Sequence, residues 1–159
     1  MNCMNGGLRM SDYLLVSAIM PTRARPQFAC EAVELFLAQA WPNKELVIVD
    51  DEDAPSFPEG ISGETIRYER LRIKQSVGAK RNIACSRARG EIIFHLDDDD
   101  WSAPGRMTDQ VERLLSSGLD LTGYSEMLFT DGAKWRLYSG RKDYILGTSM
   151  CYRKSLWAR

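Results

Sequence analysis

The sequence predicts an α/β domain built on a mostly parallel sheet with helices on both faces. Three observations point there. Apolar runs of strand length alternate with apolar residues at helical spacing. Polar or acidic residues close three of those runs, at Pro21-Thr22-Arg23, Asp50-Asp51 and Asp97 to Asp100. Open parallel sheets carry their ligands beyond such carboxyl ends. Finally, 159 residues with 44% hydrophobic and 27% charged side chains fit one ordinary globular domain, here residues 12–159.

The elements follow in order. Leu14 to Met20 is apolar and partly β-branched, a first strand stopped by Pro21. Pro26 suits a helix's first turn, and Phe28, Ala32, Phe36, Leu37 and Ala40 repeat at helical spacing, so a helix spans 26–40. Trp41-Pro42-Asn43 is a turn and Glu45 to Asp50 the second strand. Asp51 to Gly63, rich in proline, glycine and acids, is a loop. Thr65 to Leu71 is a third strand. Val77, Ala84 and Ala88 mark a helix over 76–89, ended by Gly90. Glu91 to Leu96 is the fourth strand. A further helix starts near Pro104, carries Met107, Val111, Leu114 and Leu115 as its apolar stripe, and ends at Gly118. Leu119 to Thr130 is extended, Asp131-Gly132 is a hairpin signal, and Lys134 to Tyr138 returns. Ile145 to Tyr152 is a last strand, with a helix beginning at Lys154.

The run Asp97-Asp98-Asp99-Asp100 is the most informative stretch. Two carboxylates about 4 Å apart repel by about 4 kcal/mol at an effective dielectric near 20. A hard divalent cation with oxygen ligands would offset that. Capping the helix near Pro104 would need one or two acids, not four. Asp50-Asp51 ends a second strand in the same way, which suggests one shared site at one sheet edge.

Other classes are excluded or disfavoured. A net charge of −1 argues against general nucleic-acid affinity or polybasic membrane attachment. No apolar run reaches the roughly 20 residues of a membrane span. Residues 1–11 are polar and lack a signal-peptide core, so they read as a disordered tail of a cytoplasmic protein, with Met10 an alternative start. Cys3, Cys30, Cys85 and Cys151 lack metal-ligand spacing and read as reduced small hydrophobes. His95 is the only histidine, which disfavours histidine triads and multi-histidine zinc sites. Strand alternation makes it a packed or hydrogen-bonded residue. Trp101 reads as a packing aromatic.

Four blocks, Val16 to Arg23, Glu45 to Asp51, Gly78-Ala79-Lys80-Arg81-Asn82, and Ala88 to Trp101 with Pro104 after, resemble in order and spacing the inverting glycosyltransferases of family 2, with the GT-A fold. The likeness covers residues 14–159. It implies a nucleotide-sugar donor, UDP-linked, and a hexosyltransferase-like activity. Asp51, with or without Asp50, would accept from a uracil imide N–H. Pro21 and Thr22 would hold base and ribose; Arg23, counted with them as nucleotide-binding, and Arg25 read equally as phosphate contacts or as a solvated loop. Arg81 or Lys80 would meet base or diphosphate. Asp98 would face the ribose, while Asp97 and Asp99 would bind Mn2+ or Mg2+, which neutralises the departing diphosphate. The register can slide by one residue, since all four positions are aspartate.

The family's general base lies well after this signature, in a motif that Gly147 to Arg153 resembles the approach to. The resemblance therefore implies a base beyond Arg159 and a chain incomplete at its C-terminus. Asp120, Glu126, Asp131 and Asp143 remain as weaker candidates. Trp135, Tyr138 and Tyr144 could line a groove for an acceptor, whether glycan, lipid or protein. An open apolar edge would drive self-association. Two other readings remain: a non-catalytic nucleotide-binding fragment or subunit of a split transferase, and a metal-dependent nucleotidyltransferase. The latter would usually show a glycine-rich loop after the first strand, and 22–27 holds no glycine.

Overall fold

The computed structural model of the protein describes residues 12–57, 61–141 and 143–158. The expected tail over 1–11 and Cys3 lie outside them. The strands are β1 Val16–Thr22, β2 Lys44–Asp50, β3 Ile66–Arg70, β4 Ile92–His95, β5 Leu121–Thr122, β6 Glu126–Thr130, β7 Trp135–Ser139 and β8 Cys151–Arg153. The helices are α1 Pro26–Leu37, α2 Val77–Arg87, α3 Arg106–Ser117 and the single turn α4 Lys154–Trp157. Six strands form one sheet in the order β3-β2-β1-β4-β8-β5. The first four are parallel, as expected, and β8 runs antiparallel to both β4 and β5. β6 and β7 form a separate antiparallel hairpin, turned by Gly132 at φ 86°.

Strand alternation divides the apolar residues between two helix layers. Val16, Ala18, Met20, Leu46, Ile48, Ile92 and Phe94 face Ala29, Ala32 and Phe36 of α1 and Met107, Val111 and Leu114 of α3. Ile19, Val47, Val49 and Ile93 face Ala84 and Cys85 of α2. Each such fully buried Leu, Ile or Phe contributes about 1.5–3 kcal/mol. Because both faces are covered, the central strands read as continuous apolar runs, which is the signature of a parallel sheet.

Four expectations are corrected. Pro21 does not stop β1, which continues to Thr22. The Ile19 carbonyl accepts from Leu96 N–H, so by alternation Pro21 turns its missing donor to the same side, where the β4 ladder has already ended at Ile19–His95. Phe28 and Leu37 are exposed, because the buried stripe of α1 is Ala29, Ala32, Val33 and Phe36. Gly90 does not end α2, which closes at Arg87 with Ala88 extended. Gly90 is needed for close approach instead: a Cβ there would sit 2.5 Å from the Leu15 carbonyl oxygen and 2.8 Å from Ser17 N. Its own N–H donates to Ser17 Oγ, which donates to Glu45, and Glu45 also receives Arg89. Lastly, 145–152 is not one strand: a 3-10 turn, Gly147–Ser149, precedes β8.

Candidate functional site

The carboxyl ends of β1, β2 and β4 lie side by side because the three strands are parallel neighbours. Each then turns into a loop or helix carrying charge. At the tip of β2, Asp50 and Asp51 have opposite duties. Asp50 accepts from Tyr68 Oη at 2.7 Å and from the N–H groups of Glu52 and Ser56, so it folds the following loop. Burial, then the Asp50 carboxylate, pushes the Tyr68 phenol up to about 12. Asp51 accepts from Lys80 Nζ at 2.8 Å and Gln75 N–H at 2.6 Å, with Arg23 at 3.8 Å. Burial pushes the Asp51 carboxyl up, but these donors outweigh it and hold it below the usual carboxylate range. Its side chain is fully covered.

The turn after β1 spreads two arginines. Ala24 sits at φ 52°, a left-handed conformation that costs an L-residue about 1–2 kcal/mol. On one side Arg23 reaches Asp51 and Glu52; on the other Arg25 reaches Asp98 at 3.2 Å and Asp99 at 2.5 Å. Thr22 Oγ1 donates to Asp98 at 2.7 Å.

The acidic run after β4 is held almost residue by residue. Arg81 Nη2, from α2, reaches both oxygens of Asp97 at 2.7 and 3.0 Å. Asp98 is buried, and that desolvation, with Asp99 and Asp97 nearby, raises its carboxyl above the usual range despite Thr22 and Arg25. Asp100 is raised likewise, by burial and then by Asp97 and Asp99.

The run divides two clefts. A cleft of about 340 Å³ is lined by Pro21, Thr22, Arg23, Arg25, Lys80 and Asp97 to Asp99, with Lys74, Gln75 and Val77. A second, of about 660 Å³, begins at Asp100 and Trp101 and is walled by Arg106, Tyr124, Leu128 and Trp135. Of the residues singled out from sequence, Asp50, Asp51 and Arg81 do not line the smaller cleft. Arg25, weighed beside Arg23 as a phosphate contact, lines it too, and Lys74 and Gln75 line it without having been singled out. Trp101 is 76% exposed, so it is not a packing aromatic. Glu126 and Trp135 line the larger cleft, while Asp120, Asp131, Asp143, Tyr138 and Tyr144 do not.

His95 is packed, as alternation suggested. Its Nδ1 faces the Gly147 carbonyl at 2.7 Å, so Nδ1 carries the proton and Nε2 accepts from Tyr152 Oη at 3.3 Å. Burial drives its pKa down to about 4.

Hard oxygen donors on adjacent residues, two of them already bridged by one arginine nitrogen, are the donor type a divalent cation takes. Among the described residues no three acidic, histidine or cysteine side chains form a ready-made metal cluster. Nor is any described helix long and apolar enough to cross a membrane.

Comparison with known proteins fits this geometry. The colanic acid biosynthesis glycosyl transferase candidate WcaA of Escherichia coli (strain K12) is 35% identical over 104 residues, covering 62% of this chain and 37% of that protein. Succinoglycan biosynthesis protein ExoO of Rhizobium meliloti is 31% identical over 112 residues, covering 68% and 32%. The S. aureus TarS 1-349 crystal structure superposes with a TM-score of 0.68 at 19% identity, over 91% of this chain and 48% of that one. Mannosyltransferase PcManGT from Pyrobaculum calidifontis, solved with GDP-Man and Mn2+, gives 0.67 at 16% identity over 91% and 46%. This chain thus spans less than half the length of each. The shared architecture is the GT-A fold. The family described as Glycosyl transferase family 2 matches residues 17–155, from β1 into α4, and the chain belongs to that family.

Proposed function

We propose that this chain is the donor-binding part of an inverting, metal-dependent glycosyltransferase using a nucleoside-diphosphate sugar, UDP-linked. One observation carries the reading: three aspartates and four cationic side chains, Arg23, Arg25, Lys74 and Lys80, meet in one cleft at the strand ends of a family 2 domain. TarS, of like fold, is solved with UDP and with UDP-GlcNAc.

Pro21, Thr22 and Arg23 form the wall for base and ribose, and Asp98, fixed by Thr22, faces the ribose. Asp51 backs that wall through Gln75 and Arg23. An imide contact to Asp51 itself requires those two to yield. Lys80 is committed to Asp51 and to the Thr22 carbonyl, so it shapes the pocket, and Arg25 and Lys74 supply charge toward the diphosphate. Asp97, oriented by Arg81, and Asp99 would hold Mn2+ or Mg2+, which when bound supplies positive charge against the leaving diphosphate. The larger cleft receives the acceptor. Glu126 lines it, and so does Asp109, though Arg113 and Tyr124 hold that carboxyl low and make it a weak base.

Thermal-shift measurement with nucleoside diphosphates, with and without divalent ions, tests the reading. A UDP-specific, metal-dependent rise that Asp99→Ala abolishes is expected. No stabilisation by any nucleoside diphosphate would refute it.

A further inference from the structure

Arg25 does something that its neighbours in the cleft do not. A single nitrogen, Nη1, bridges two carboxylates, Asp98 Oδ1 and Asp99 Oδ2. Arg81, by contrast, spends one nitrogen on the two oxygens of Asp97 alone. One positive atom between two carboxylates is how a point cation behaves, and on Asp99 it occupies an oxygen that a metal would use. The two arginines also differ in access: the Arg25 side chain is 49% exposed and that of Arg81 23%. Arg25 is further mounted on the left-handed residue Ala24, in a turn with no side-chain cap for α1. It therefore sits on a short strained arm, in solvent, within a cleft that also holds Lys74.

We infer that Arg25 is an exchangeable counter-cation: it neutralises Asp98 and Asp99 before loading, is displaced by the divalent ion, and then neutralises the donor's diphosphate from the same cleft. This rests on the donor reading above. It assigns Arg25 two partners in succession, and so predicts opposite effects on the two ligands.

The test is calorimetry on the parent protein, Arg25→Ala and Arg25→Lys. Without nucleotide, Arg25→Ala should bind Mn2+ about tenfold more tightly, the scale of one charge-assisted hydrogen bond no longer in competition. With Mn2+ saturating, it should bind UDP about tenfold more weakly, for the same reason. Arg25→Lys, which keeps a point cation on a flexible stem, should return both affinities toward the parent's. A merely structural role would lower the melting temperature and could not tighten cation binding. Unchanged or weaker Mn2+ binding by Arg25→Ala overturns the inference, as does unchanged UDP binding. In either case UDP and Mn2+ binding by the parent keeps the donor reading standing. If the parent binds neither Mn2+ nor UDP, the donor reading falls and this inference with it.

Discussion

Lys80 donates to Asp51 at 2.8 Å where the two side chains are 6% and 0% exposed, and the same ammonium donates to the Thr22 carbonyl at 2.8 Å. One cation from α2 thereby clamps the ends of β1 and β2 together. Removing one partner of a buried pair strands the other charge, at about 3–5 kcal/mol. Lys80→Met should lower unfolding free energy by that amount in urea titrations. A loss under about 1 kcal/mol would show the pair to be solvated rather than buried.

Asp51 and Asp98 should respond to acid in opposite directions. The carboxyl of Asp51 is depressed in the fold, so its stabilisation is complete above about pH 4 and is lost as pH falls through the lowered value. That of Asp98 is raised, so the fold favours its protonated form, and this contribution fades as pH rises through the raised value. At pH 7 Asp98→Asn should therefore raise the melting temperature, while Asp51→Asn lowers it. Melting curves of the two variants at pH 7 decide this. A fall for Asp98→Asn would mean that its bonds to Thr22 and Arg25 outweigh burial.

His95 gives a third pH signature. Its folded pKa of about 4 lies below the unfolded value, so the stability it supplies is complete above about pH 6.5 and lost between there and pH 4. The shift corresponds to about 3 kcal/mol at most. Stability measured from pH 7 to pH 4 should fall across this window in the parent, and His95→Gln should remove that slope.

Gly90→Ala should destabilise without touching either cleft. The new methyl would meet backbone atoms of Leu15 and Ser17, which cannot rotate away. Overpacking of this kind costs about 1–3 kcal/mol. Denaturation should report that loss, with UDP affinity unchanged in the folded fraction.

The sheet was legible because β1, β2 and β4 are apolar on both faces and end in polar groups, a pattern periodicity exposes directly. What the sequence concealed was pairwise. Nothing local distinguishes Asp50 from Asp51, yet one folds a loop through Tyr68 and the other is clamped by Lys80. Phe28 looked buried because its spacing fits a stripe one position away from the true one. Gly90 looked like a helix stop because the approach of Leu15, 75 positions earlier, has no local signal. The 3-10 turn at Gly147–Ser149 was hidden by apolar neighbours, because the groups that hold its carbonyls, His95, Arg106 and Gln110, lie far away in sequence.

The reversal of β8 against β4 has an architectural consequence. Because β8 enters the sheet beside the exit of β4, residues 123–150 are delivered as an insert fastened at both ends by adjacent strands. One rim of the acidic ridge is thus welded to the parallel framework, and the opposite rim is a replaceable cassette. Exchanging that cassette can remodel the larger chamber while leaving the smaller one, and the clamp beneath it, unaltered.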